Sequence, residues 1–184
     1  MYSGQSWKRL NRKTIYDSKF MKVWEDVVEL PTGHVMDDYS VAYLPDGVLV
    51  VATDENDNVL VLEEYKYASD ETFLTFVAGG MDEGETAIDV AKRELLEETG
   101  YTTDDFEVVS TLDVYPSKII HKSTTVRARN IRKVATPQHE DSEAISNIRL
   151  ISMDELKQHF DAGEFKTTYL IAAIAATLPQ ILSK

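Results

Sequence analysis

Residues 79–101 read GGMDEGETAIDVAKRELLEETGY. A glycine-bearing loop runs into a stretch that carries Arg93, Glu94, Glu97 and Glu98. Ala87, Ile88, Ala91 and Leu95 recur at helical spacing, which predicts a helix over about Thr86 to Glu98 with one apolar stripe. Gly100 is placed to end it in the left-handed conformation. Positions i, i+3 and i+4 share a helix face, so Glu94, Glu97 and Glu98 form a cluster of three carboxylates. Like charges at that spacing repel. A hard divalent cation removes the repulsion, because magnesium prefers oxygen ligands and sits on one or two carboxylates plus substrate phosphates.

The spacing matches a known pattern. Gly79, five residues, Glu85, seven residues, then Arg93-Glu94-Leu95-x-Glu97-Glu98-x-Gly100-Tyr101 resembles the Nudix box at every defining position. Seven fixed identities arise by chance in about one window in 10^8 at average residue usage, which decides against a plain solvated acidic face. The resemblance implies an α/β/α sandwich and hydrolysis of a nucleoside diphosphate linked to another moiety. It implies Mg2+, with Mn2+ as a substitute, held by Glu94 and Glu98, then Glu97, with the carbonyl of Ala78 as a further ligand. Arg93 and Glu85 match the pair that bridges loop and helix in the family, and Gly79, Gly80 and Gly84 allow the tight loop. Arg93, Glu97 and Glu98 thus belong to the catalytic set. The family draws its general base from a loop outside the box. Here that loop is His139-Glu140-Asp141-Ser142-Glu143, with Glu143 preferred and Glu140 next. His139 reads as an exposed loop histidine.

The flanks narrow the class. Glu64-Tyr65-Lys66-Tyr67 resembles the Glu-Tyr-Arg-Tyr region of ADP-ribose and ADP-sugar pyrophosphatases. Pro116, 15 residues beyond Tyr101, lies close to a proline that marks ADP-ribose hydrolysers. On that resemblance Tyr65, Lys66, Tyr115 and Ser117 are the substrate-binding candidates. The long N-terminal strand segment also suits the group, in which it forms a small sheet that builds a homodimer. Several positions depart from the pattern. Lys66 replaces an arginine and lacks its planar fork. Thr75 and Val77 stand where Glu and Pro are common, and Lys118-Ile119-Ile120-His121 replaces a Pro-Gly-rich acidic loop. These departures leave GDP-mannose or another nucleotide sugar open as substrate. A non-catalytic nucleotide-sensing domain and a nucleoside triphosphatase are rival readings. Tyr39, Tyr65, Tyr67 and Tyr115 are candidates for stacking on a base, or for core and interface packing. Trp7 and Trp24 read as packing or interface residues.

Composition agrees with this class. The chain has 184 residues, 43% hydrophobic and 28% charged, which suits one globular domain with a small extension. It contains no cysteine, so no disulfide framework or thiolate metal site is expected. A net charge of −13 repels nucleic-acid backbones. The N-terminus lacks the apolar core of a signal peptide, and the run Tyr169 to Leu178 is too short to span a bilayer. The expectation is a cytoplasmic enzyme with a small nucleotide substrate and no nucleic-acid or membrane partner.

Outside the box, strands are expected over Met21 to Leu30, His34 to Tyr43, Gly47 to Thr53, Val59 to Tyr65 and Phe73 to Ala78. Further strands are expected over Phe106 to Val114, Ser123 to Ile131 and Ile145 to Ile151, and helices over Met153 to Phe160 and Thr168 to Ile181. Asp54 to Asn58 reads as a turn that makes residues 47–65 a hairpin. The fold class is α+β, with helices flanking a mixed central sheet. Residues 1–45 form an antiparallel β extension, a dimerisation element, and residues 46–184 form the hydrolase domain.

Overall fold

The computed structural model describes residues 6–138 and 144–182. The chain divides into two compact units, Met1–Pro45 with Asp113–Lys122, and Asp46–Leu112 with Ser123–Lys184.

In the first unit, β1 (Lys8–Asp17), β2 (Lys22–Glu29) and β3 (Val35–Tyr43) form an antiparallel meander. The turn after β1 is closed by Ser18, whose hydroxyl oxygen accepts from the Met21 N–H at 3.1 Å. Across β1 and β2, Arg12 grips the buried Asp26 through two bonds of 2.7 Å and lies 4.2 Å from the Trp24 ring centre. A two-residue strand, Ile119–Ile120, adds to β3 in parallel, with Ile119 opposite Ala42. Nothing local in the sequence marks that pairing.

In the second unit, β4 (Gly47–Ala52) is apolar on both faces. Val48, Val50 and Ala52 point to one core, and Leu49 and Val51 to the other. That double burial is why its run is continuous rather than alternating. Three strands, β5 (Val59–Lys66), β6 (Glu71–Thr75) and β7 (Val77–Gly80), precede α1 (Ala87–Thr99), and β8 (Tyr101–Thr102) follows it. After them come β9 (Asp105–Asp113), β10 (the Ile119–Ile120 strand), β11 (Lys122–Arg129), β12 (Arg132–Lys133), β13 (Ile145–Ile151), α2 (Met153–Asp161) and α3 (Thr168–Thr177). One sheet has the order β7-β4-β11-β9 and another β13-β5-β6. The first is mixed, since β4 runs antiparallel to β7 and parallel to β11. Val90, Ala91 and Leu95 of α1 fill the core on one side of these strands. Leu156 of α2 and Leu170, Ala173 and Ile174 of α3 fill it on the other. The expected α/β/α sandwich is the observed architecture.

Three local expectations are corrected. Residues 47–65 are not a hairpin: β4 and β5 belong to different sheets, joined at their turn by the bridge Thr53↔Val59. Residues 73–78 are two strands, because the chain changes sheets at Phe76, whose ring is fully buried and stacks on Phe165. The last helix stops at Thr177, and Pro179–Leu182 is a separate 3-10 turn. Pro179 excludes helical backbone at Leu178, which sits at φ −131°, ψ 54°.

Candidate active site

Helix α1 starts where its sequence says it should. The Thr86 hydroxyl accepts from the Asp89 N–H at 3.2 Å, and the Asp89 carboxylate accepts from the Thr86 N–H at 3.3 Å. This reciprocal cap satisfies two of the free donors at the helix start. The apolar stripe then turns Glu94 and Glu98 inward with it, since they lie on the flank of Val90, Ala91 and Leu95. They are 7% and 5% exposed, whereas Glu97 projects outward with its side chain 48% exposed. Buried carboxylates are costly unless a charge or hydrogen bonds accompany them.

Arg93 supplies that charge. Its guanidinium donates to the Glu94 carboxylate at 2.7 Å, to Glu97 at 3.4 Å and to Glu85 at 3.4 and 3.5 Å. It also reaches the Gly80 carbonyl at 3.4 Å, so one side chain ties the loop to the helix. Partial burial acts to lower the Arg93 pKa, but Glu94 and Glu85 outweigh it and hold the guanidinium above its ordinary value. The Glu85 carboxylate accepts from the Asp82 N–H at 2.9 Å. That bond, followed by Arg93, keeps it ionised below the usual carboxylate range. Arg93 and Glu85 are thus brought together as the sequence suggested.

Gly79 has a steric reason to be glycine. It lies on β7, and a Cβ there would sit 1.8 Å from the Glu94 Oε1 atom. The carboxylate is packed directly on the backbone of the loop. Ala78, the residue before, is part-buried on the same strand and opposite Leu49 of β4.

Other candidates lie elsewhere. Tyr65 and Lys66 sit at the end of β5 in the second unit, while Tyr115 and Ser117 belong to the first. The Lys66 ammonium is 2.5 Å from the Glu64 carboxylate, and the Tyr65 hydroxyl donates to Asp70 at 2.9 Å. The Ser117 carbonyl accepts from the Tyr39 hydroxyl, and Tyr115 is exposed. Trp7, itself exposed, packs edge-on to Tyr39. His139, Glu140 and Glu143 lie outside the described residues.

The donor set of α1 is oxygen only, which suits a hard divalent cation rather than zinc or copper. Among the described residues no three His, Cys, Asp or Glu side chains are gathered closely enough to hold a metal ion. Glu94 is instead turned to Arg93. The residues fit the cation in chemistry and in their placement on one helix. A separate cavity of about 440 Å3 opens on the α3 side of the sheet, lined by Val51, Thr53, Arg127, Arg129 and Leu178. Its arginines are engaged by Asp105, Glu107 and the carbonyls at the end of α3, and it includes none of the box carboxylates.

A NUDIX domain model matches residues 43–171. The chain belongs to the Nudix family. Residues 7–42 match a second model, the nucleoside diphosphate sugar hydrolase N-terminal domain. This Nudix protein is 26% identical over 170 residues to a methanol dehydrogenase activator of Bacillus methanolicus, covering 91% of this chain and 90% of the other. It is 22% identical over 167 residues to an ADP-ribose pyrophosphatase of Bacillus subtilis, covering 89% and 90%. A Mycobacterium tuberculosis protein of the same name is 24% identical over 168 residues, covering 91% and 81%. The crystal structure of an ADP compounds hydrolase superposes with a TM-score of 0.83 at 20% identity, covering 99% of this chain and 97% of that one. The chain is therefore a Nudix hydrolase with the fold expected from its box. Among the described residues, no helix is long and apolar enough to cross a membrane.

Sequence reasoning missed one contact at the helix. The Gln138 N–H donates to the Glu97 carbonyl at 2.7 Å. Nothing local in the sequence pointed from Gln138 to α1.

Proposed function

We propose that this Nudix hydrolase cleaves the pyrophosphate bond of a nucleoside diphosphate linked to a sugar, ADP-ribose or an ADP-sugar first. The products are a nucleoside monophosphate and a sugar phosphate. The observation that carries this reading is the pair of buried carboxylates, Glu94 and Glu98, on a helix locked to its loop by Arg93 and Glu85. Arg93 meets Glu94 in this structure, and two carboxylates close together on one helix also offer the oxygen donors that a hard divalent cation takes.

Glu94, Glu97 and Glu98, with the Ala78 carbonyl, are the groups that would hold Mg2+, or Mn2+ in its place. A bound divalent cation neutralises charge developing on the diphosphate and lowers the pKa of a coordinated water. The protein's own part is positioning, the main demand of phosphoryl transfer. Arg93 and Glu85 keep the helix in register with the loop. Glu143, or Glu140, is the candidate that takes the proton from the attacking water. Tyr65, Lys66, Tyr115 and Ser117 are kept as substrate contacts on the family resemblance. The match of residues 7–42 to a nucleoside diphosphate sugar hydrolase segment also supports the wider class, so GDP-mannose or another nucleotide sugar is the second reading. We infer a homodimer formed through the N-terminal sheet, and a cytoplasmic setting that suits a cysteine-free chain.

The test is a panel of ADP-ribose, ADP-glucose, GDP-mannose and nucleoside triphosphates with Mg2+ or Mn2+, read as released monophosphate. Wild-type protein should release monophosphate from the diphosphate sugars. Glu98→Gln should lose about 10^3-fold or more in kcat, comparable with removing a principal electrostatic group, and keep its melting temperature. Turnover like wild type in that variant refutes the ligand assignment. Release of pyrophosphate from triphosphates alone refutes the substrate class.

A further inference from the structure

The end of α1 is closed by a segment distant in sequence. A helix leaves its last carbonyls without partners of its own. Gly100 turns the chain at φ +72° and donates its N–H to the Leu96 carbonyl. The Glu97 carbonyl is then met by the Gln138 N–H at 2.7 Å. The Gly100 carbonyl is met by the N–H groups of Val134 and Ala135, at 2.9 and 3.1 Å. Ala135 presses so close that a Cβ on residue 100 would lie 2.1 Å from its carbonyl oxygen.

This strap is itself anchored. Ile131 is buried and donates its N–H to the Thr53 carbonyl at 3.0 Å. Arg132 and Lys133 pair with Thr102 and Tyr101 as β12 on β8. Pro137 then fixes one backbone angle directly before Gln138. A terminal helical turn ordinarily frays. The turn here carries Glu97 and Glu98, so its backbone decides where those carboxylates stand. The three N–H groups also offset the partial negative charge at the helix end, which would otherwise add to the repulsion between the acids.

We propose that the Val134–Gln138 strap is a positioning element for Glu97 and Glu98, acting through the Gln138 N–H on the Glu97 carbonyl. The proposal rests on the reading that these acids hold the divalent cation. It makes the backbone of residue 138, and not its side chain, the functional part.

The test compares Gln138→Ala, which keeps the N–H, with Gln138→Pro and with a backbone ester at position 138, which both remove it. Mn2+ affinity is measured by titration without substrate, beside kcat on ADP-ribose and the melting temperature. Gln138→Ala should match wild type. The ester and the proline variant should bind Mn2+ about tenfold more weakly, the scale seen when partners of metal ligands are removed. Their kcat should recover in part at high Mn2+, and the ester should melt close to wild type. Wild-type Mn2+ affinity in the ester, with affinity lost in Glu98→Gln, overturns the strap alone. Equal losses in Gln138→Ala and the ester also overturn it, since the side chain would then carry the effect. Wild-type affinity in Glu98→Gln overturns the reading of the box and the strap with it.

Discussion

Gly79 shows how much one missing methyl group decides. The Glu94 carboxylate occupies the space where a Cβ would sit, at 1.8 Å. In Gly79→Ala the whole Glu94 side chain must move, because its Cγ is also within 2.4 Å of that position. The bond from Arg93 to Glu94 then breaks, and a buried acid loses its partner. We expect kcat to fall at least about tenfold, or about 1.4 kcal/mol in the barrier, while the protein still folds. Steady-state kinetics beside a thermal melt checks this, and unchanged kcat would show that the Glu94 position does not matter. At this scale the sequence was informative. The helix span and the stop at Gly100 follow from local spacing, and the pairing of Arg93 with Glu85 was implied by the family resemblance. The engagement of Lys66 by Glu64 and of Tyr65 by Asp70 was not visible, because side-chain partners at such short range depend on rotamers.

Among the elements, the N-terminal sheet carries a testable ion pair. Asp26 is 4% exposed, and the Arg12 hydrogen bonds hold its carboxyl below the usual range against the opposing effect of burial. A lowered pKa means that the folded state binds the proton less tightly than the unfolded chain. The stabilisation is therefore complete above about pH 4, the ordinary aspartate value, and is lost as pH falls below it. Arg12→Ala leaves a buried acceptor without its cation, and should cost about 1–3 kcal/mol at neutral pH. Urea unfolding at several pH values should show the gap between wild type and variant closing as acid is added. A gap that stays constant down to pH 2 would mean that Asp26 does not report on folding. The longer strands and the helices were legible, but the short strands β8, β10 and β12, the break at Phe76 and the pairing were not. β4 and β5 are both apolar runs with a polar turn between them, the pattern of a hairpin. They part because each is buried on both faces and finds better partners elsewhere: β7 and β11 for one, β6 and β13 for the other.

For the whole molecule, the inferred dimer is the natural subject of a prediction. β1 lies at the edge of the first sheet and exposes Leu10, Ile15 and Tyr16, at 46%, 52% and 54%. An unpaired strand edge of this length is a template for pairing with another chain. Wild-type protein should run at twice the chain mass in light scattering at micromolar concentration. Ile15→Lys, which places a charge on that edge, should shift it to the monomer without unfolding the second unit. A wild-type monomer would remove the basis for the dimer. The chain's own division also crosses the sequence order, since Asp113–Lys122 joins the N-terminal strands through the two-residue parallel pairing with β3.

What the amino-acid order determined by itself was the helix with its three acids, the loop that feeds it and the class of chemistry they imply. Those features depend on spacing within about twenty residues, where helical periodicity and capping act. The tertiary structure decided which acids are buried, which strands share a sheet and what closes the end of α1. Burial of Glu94 and Glu98 depends on the sheet that α1 covers. The strap on the Glu97 carbonyl depends on a segment some forty residues downstream, brought back by a bend at Asn130 and held by backbone N–H groups that every residue type except proline possesses. A backbone hydrogen bond across that distance leaves no side-chain signature, so no reading of residue types alone would have found it.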